Sequence, residues 1–101
     1  MDINNFDYDK LLMLALSAPA GKQILENCMQ IATMLVEKNI SYGNSALNPI
    51  KIFSKINSAE QIQIRIDDKL NRIKNGQNFP GDNDLDDLIG YLILLKIAKS
   101  I

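Results

Sequence analysis

The sequence predicts an all-α protein, a compact bundle of four to five helices, and three observations carry that expectation. Apolar residues recur at three- and four-residue spacing through several long windows, the period of an amphipathic helix. Capping residues stand at the ends of those windows, Asn or Asp where they begin and Gly where one stops. No alternating apolar and polar run of useful length offers a strand. At 101 residues the chain is expected to be a single helical domain spanning 1–101. That is enough for one core, yet small enough that assembly into an oligomer would help it.

The first helix is expected over Tyr8–Ser17. Asn4 to Asp9 supply N-caps ahead of Leu11, Leu12, Leu14 and Leu16. Ser17-Ala18-Pro19-Ala20-Gly21 interrupts it, because Pro19 suits a first turn better than a helix interior. A second helix follows over Gly21–Asn39 with the stripe Ile24, Leu25, Cys28, Ile31, Ala32 and Leu35. Cys28 lies on that stripe and is expected to be a small core residue, not a reactive thiol.

Ser41-Tyr42-Gly43-Asn44-Ser45 breaks the period, and Gly43 and Asn44 tolerate left-handed backbone angles. Pro49 opens an expected short third helix through Lys55, with Ile50, Ile52 and Phe53 as anchors. Asn57 and Ser58 stand three residues before Glu60 and Gln61, a capping-box spacing, so a fourth helix is expected from Ala59 to Lys74 with Gly76 as its stop. Asn75–Asn83, containing Pro80 and Gly81, reads as a turn-rich loop. The last helix, Asp84–Ser100, has acids in its first turn and lysines in its last, which suits the helix dipole. Between Leu88 and Leu95 it carries no charge. A helix apolar all round should be buried on all sides, in the domain centre or against another subunit.

Composition narrows the functions. The chain is 47% hydrophobic and 23% charged with a net charge of −1, so no general basic field exists to hold a nucleic-acid polymer or an anionic membrane. One cysteine excludes an intramolecular disulfide and a thiolate metal cluster. Histidine is absent, which removes the usual neutral-pH base, the His-assisted nucleophiles and the commonest zinc ligand. Met-Asp-Ile-Asn-Asn does not read as a signal peptide, and no apolar run reaches membrane-spanning length. A cytoplasmic protein is expected by default.

Chemistry concentrates in Arg65-Ile66-Asp67-Asp68-Lys69-Leu70-Asn71-Arg72. At 100° per residue Ile62, Ile66, Leu70 and Ile73 form an apolar stripe about 80° wide, and Arg65, Asp68 and Arg72 form a second line about 60° wide. Lys69 lies between the two. On the last helix Asp84, Asp87 and Tyr91 share a face with Leu88, Leu95 and Ala98, so two carboxylates point toward the core or a cleft at its end. Buried carboxylates need cations, hydrogen bonds or a metal, and Arg65, Lys69 and Arg72 are available. The plain alternative is an Arg65–Asp68–Arg72 ion-pair ladder of under about 1 kcal/mol, which spacing alone favours, with a merely dipole-friendly acidic turn opposite. Asp68, Asp84 and Asp87 could offer hard oxygen ligands to Mg²⁺. The second helix adds only Glu26 and Glu37, eleven residues apart, a thin set for hydrolysis between phosphates. Phosphate binding asks less: Arg forks, a Lys, and the N–H groups of the Tyr42–Ser45 loop.

Taken together, Lys38, Tyr42-Gly43-Asn44-Ser45, Arg65-Ile66-x-Asp68-Lys69-Leu70-x-Arg72 and Asp84-Leu85-Asp86-Asp87-Leu88-Ile89-Gly90-Tyr91 resemble the phage-type nucleotide modification associated helical domains. Those are distantly similar to the MazG-like all-α nucleoside triphosphate pyrophosphatases. The resemblance spans about Ile24 to Ile97. It implies a role near nucleotides in a phage or prophage setting, in the host cytoplasm, and a homo-oligomer. The enzymes pair E-x-x-E on one helix with E-x-x-D on a later one. Asp84-x-x-Asp87 matches the second element with Asp for Glu, and the first has no counterpart here.

The expectation is therefore a nucleotide-binding protein that holds a nucleotide, or a cyclic or modified nucleotide-derived immune signal, without hydrolysis. Its binding residues would be Arg65, Lys69, Arg72, Tyr42, Asn44 and Tyr91. Arg65 and Arg72 would act as phosphate forks, and Lys69 is the one of the group expected to be plain surface. Asp68, Asp84 and Asp87 are the candidate metal ligands, with Mg²⁺ as the candidate ion and no residue assigned to catalysis. The alternatives are a Mg²⁺-dependent MazG-like pyrophosphohydrolase and a helical protein–protein interaction module.

Overall fold

The computed structural model of the chain describes residues 2–76 and 83–100, and every regular element among them is helical. A 3-10 turn at Ile3–Asn5 precedes α1 (Tyr8–Ser17), α2 (Gly21–Ser41), α3 (Ser58–Asn75) and α4 (Asp84–Lys99). No described helix is long and apolar enough to cross a membrane. The all-α class is as expected, and the caps show why the boundaries fall where they do. Asp7 accepts a hydrogen bond from the Lys10 N–H, Asn57 from Glu60 and Asn83 from Asp86, each satisfying a donor that the first turn leaves free. α3 stops at Gly76, whose φ of 66° and N–H bonds to the Arg72 and Ile73 carbonyls close its last turn. Positions 77–82, which hold most of the expected Asn75–Asn83 loop, lie outside the described residues.

The chain divides into two compact units, Met1–Gln30 and Ile31–Ile101. In the first, α1 turns into α2 through Ala18–Ala20. Gly21 is required there, because a Cβ at that position would collide with the Ala15 carbonyl. Ala15 and Gly21 are the buried residues among those described in this unit.

In the second unit α3 and α4 pack together. They run antiparallel, with late α3 meeting early α4 through Lys69, Asp84 and Asp87. Ile31, Ile62 and Leu94 form the buried core, and Ile62 is nearly sealed at 1% exposure. Gly90 lets α4 approach α2: a Cβ on it would sit 3.3 Å from Leu35 Cδ1 and 3.7 Å from Met34 Cε.

Three expectations are corrected. The short helix at Pro49–Lys55 does not form. Lys51 takes a φ of 58°, outside helical space, and β-branched Ile50 and Ile52 supply little propensity to offset nucleation. Phe53 is 98% exposed and is no anchor among the described residues. Cys28 is an exposed free thiol, not a core residue; along the α2 stripe only Ile31 is buried, while Ile24 and Ala32 are exposed. Finally, α4 is not covered on all sides. Gly90 and Leu94 are buried, but Leu85, Ile89, Leu92, Ile93 and Ile97 are exposed.

Candidate functional site

The ion pairs of the second unit centre on Lys69, not on Arg65. Lys69 lies nearest the apolar stripe of α3, so its stem packs inward and its Nζ emerges between the first two turns of α4. It stands 3.1 Å from Asp84 Oδ1 and 3.0 Å from Asp87 Oδ2, with 12% of its side chain exposed. Lys38, near the end of α2, reaches Asp87 Oδ1 at 3.0 Å from the other side. Arg72 Nη1 is 3.8 Å from Asp84 Oδ1. Burial opposes the charge on Lys69, but its hydrogen bonds to Asp87 and Asp84 outweigh that and raise its pKa above the ordinary 10.5. Burial likewise pushes the Asp87 carboxyl up, and the ammonium groups of Lys38 and Lys69 more than reverse this, leaving it below 3.8. The expectation that Lys69 is plain surface is thus reversed: it is the most enclosed cation of its stretch.

The Arg65–Asp68–Arg72 ladder does not form. Arg65 and Asp68 are exposed and make no ion pair with each other or with Arg72. The three candidate metal ligands are also parted: Asp84 and Asp87 share Lys69, while Asp68 stands outside the cluster. Among the described residues no group of three carboxylate or thiol side chains is placed to hold a metal ion.

Beside this cluster a cleft of about 520 Å³ opens in the same unit, within the size range of small-molecule sites. Its floor is apolar, made by Met34, Leu35, Ile62, Gly90 and Leu94, with Pro49 and Ile50 contributing from the loop. Its polar walls bring Tyr42, Asn44, Arg65, Asp87 and Tyr91 together. All five are among the residues expected from the sequence, and they come from the loop after α2, from α3 and from α4. Lys69, Arg72 and Asp84 are not in the lining; Lys69 is tied to it through its ion pair with Asp87.

The loop that carries Tyr42 is shaped by its own chemistry. Gly43 and Asn44 adopt φ of 60° and 65°, and the Asn39 amide donates to Asn44 Oδ1 at 2.9 Å. That bond ties the loop back to α2 and leaves Tyr42 largely exposed at the rim.

Sequence reasoning missed three polar lining residues. Asn39 reads as the end of the second helix, Gln61 as part of a capping box, and Ser45 as one residue of the Tyr42–Ser45 loop. Lys38 entered only through the family resemblance. Its spacing carried a usable signal, since it follows Met34 and Leu35 by four and three residues and so continues an inward-facing line. The cleft lining holds two cations, Lys38 and Arg65, and one carboxylate, Asp87. Asp87 already accepts from Lys38 and Lys69, whereas Arg65 has no ion partner among the described residues. A ligand entering here meets an uncommitted guanidinium, two phenols, several amides and an apolar floor.

No protein-family profile, characterised protein or solved structure matches the chain.

Proposed function

We propose that the cleft of the second unit binds a nucleotide and holds it without hydrolysis. The observation that carries this reading is Arg65, a guanidinium on the cleft wall with no counter-ion among the described residues, set above an apolar floor and alongside Tyr42 and Tyr91. A guanidinium fork suits phosphate oxygens, tyrosines offer stacking surface to a base, and Asn39, Asn44 and Gln61 can read its edge. The resemblance of the Tyr-Gly, Arg-x-x-Asp-Lys-x-x-Arg and Asp-x-x-Asp order to nucleotide-associated phage domains supplies the ligand class. In that setting the protein would sequester a cyclic or otherwise modified nucleotide signal in the host cytoplasm.

Holding is favoured over cutting because of how the acids are committed. Cleavage between phosphates leans on carboxylates free to bind Mg²⁺. Asp84 and Asp87 are each within ion-pair distance of two cationic side chains, and Asp68 is separate from them.

Isothermal titration against mono-, di-, tri- and cyclic nucleotides tests the reading. Saturable heat with at least one of them is expected, weakened on the order of tenfold or more in Arg65→Ala. Silence across the panel would sink the proposal. Mg²⁺-dependent release of pyrophosphate from a triphosphate, lost in Asp87→Asn, would replace holding with hydrolysis.

A further inference from the structure

The exposed apolar stripe of α4 is not absorbed by the cleft. Leu85, Ile89, Leu92 and Ile93 stand at i, i+4, i+7 and i+8, on the side of α4 away from Gly90, Asp87 and Leu94. Leu85 is 61% and Leu92 50% exposed. Lys96 continues the line at i+11, and Asp86 borders it near the other end. Neither of those two charges has an ion partner among the described residues. Few apolar side chains are buried in the second unit, so leaving a continuous row in water is a cost that association would relieve.

We infer that this stripe is a homodimer interface in which two copies of α4 pair antiparallel about a two-fold axis. The charge pattern selects a second copy over an unrelated partner. With Ile89 of one helix opposite the partner's Leu92, Leu85 falls opposite the partner's Lys96. The lysine stem then covers the leucine, and its ammonium arrives beside Asp86 of the helix that carries that leucine. Each copy supplies one acid and one base, so the pairing is made twice and both free charges are satisfied. A parallel pairing would instead set Lys96 against the partner's Lys96 and Asp86 against the partner's Asp86. Antiparallel α4 helices also oppose their dipoles favourably. A 16-residue helix is about 24 Å long, so the interface is small and the dimer should dissociate on dilution into the micromolar range.

Sedimentation velocity of the full chain from about 1 to 300 μM, with a reductant to keep Cys28 from cross-linking, tests this. The wild type is expected to pass from monomer to dimer over that range. Ile89→Glu and Leu92→Glu, both on exposed positions, should stay helical by circular dichroism and remain monomeric throughout. Lys96→Asp should raise the dissociation constant about tenfold or more, and adding Asp86→Lys should bring it back to within about threefold of wild type. A wild type that stays monomeric at 300 μM overturns the inference. So does an oligomer that neither glutamate nor the charge swap disturbs, since another surface would then be responsible.

Discussion

Lys69 holds its charge where little water reaches it, and that sets two expectations at the scale of the single residue. Its ammonium lies between Asp84 and Asp87, whose side chains are 9% and 16% exposed. Removing it leaves two poorly solvated carboxylates sharing Lys38 and Arg72. Lys69→Met keeps the stem and deletes the charge, and should cost roughly 2–3 kcal/mol at neutral pH, below a fully buried pair because both acids retain a cation. Urea unfolding measures it; a loss under about 0.5 kcal/mol would mean the cluster behaves as solvated surface. The pH dependence follows from the direction of the two shifts. Asp87 is depressed in the folded state, so its contribution is fully present above the ordinary value of 3.8 and is lost as pH falls through the lower folded value. Lys69 is raised, so its contribution is complete below 10.5 and fades as pH climbs through the higher folded value. Stability should therefore be level between about pH 5 and 9 with respect to these groups and fall outside that window. Asp87→Asn should be less stable than wild type at pH 7, and the gap should close as pH drops below about 4.

At the scale of the element, the helices were largely legible and their company was not. Local chemistry delimits a helix, and Asp7, Asn57, Asn83 and Gly76 all cap or stop one in the structure. Pro49 misled because a helix-opening proline is only permissive. Whether a helix follows depends on the next residues, and here Lys51 leaves helical space. Cys28 misled because a three-four stripe shows which face is apolar without showing how far along the helix anything covers it; α2 runs on from one compact unit into the other. The site followed the same division. Facing of α3 and α4 placed Arg65, Asp87 and Tyr91 on one cleft, as period alone suggests. The choice of Lys69 over Arg65 as partner for the acids depends on reach across a particular interhelical gap, which no spacing encodes. Gly90 illustrates the point on α4. Its hydrogen faces Leu35 Cδ1 at the cleft floor, and an added Cβ would stand 3.3 Å away. Gly90→Ala asks Leu35 for a few tenths of an ångström and gains helix propensity of about 1 kcal/mol, so stability should change by less than about 1 kcal/mol. Gly90→Leu has no such accommodation. It should cost about 1–3 kcal/mol by overpacking and obstruct the cleft, which paired urea titrations and ligand titrations would register together.

At the scale of the whole molecule, the residues that stabilise and the residues proposed to bind are different sets within one unit. Ile31, Ile62 and Leu94 carry the core, and Lys38, Lys69, Asp84 and Asp87 lock α2, α3 and α4 by charge. Arg65 belongs to neither group, being exposed and without an ion partner among the described residues. A residue that contributes nothing to the fold can be removed without penalty, so Arg65→Ala should shift the unfolding free energy of the ligand-free protein by no more than about 0.5 kcal/mol. Ile62→Ala, which empties the best-sealed position, should cost about 2–5 kcal/mol. Ligand linkage then separates the two roles. A nucleotide supplied at about 100 times its dissociation constant should add about 2.7 kcal/mol to wild-type stability. The same concentration should add far less to Arg65→Ala. Ile62→Ala, though weaker at the outset, should retain most of the increment as long as it is folded. Thermal or urea unfolding with and without each nucleotide gives all of these numbers in one experiment. An increment that survives in Arg65→Ala would place the ligand elsewhere. A large loss of stability in ligand-free Arg65→Ala would make the guanidinium part of the fold and remove the observation on which the binding site rests.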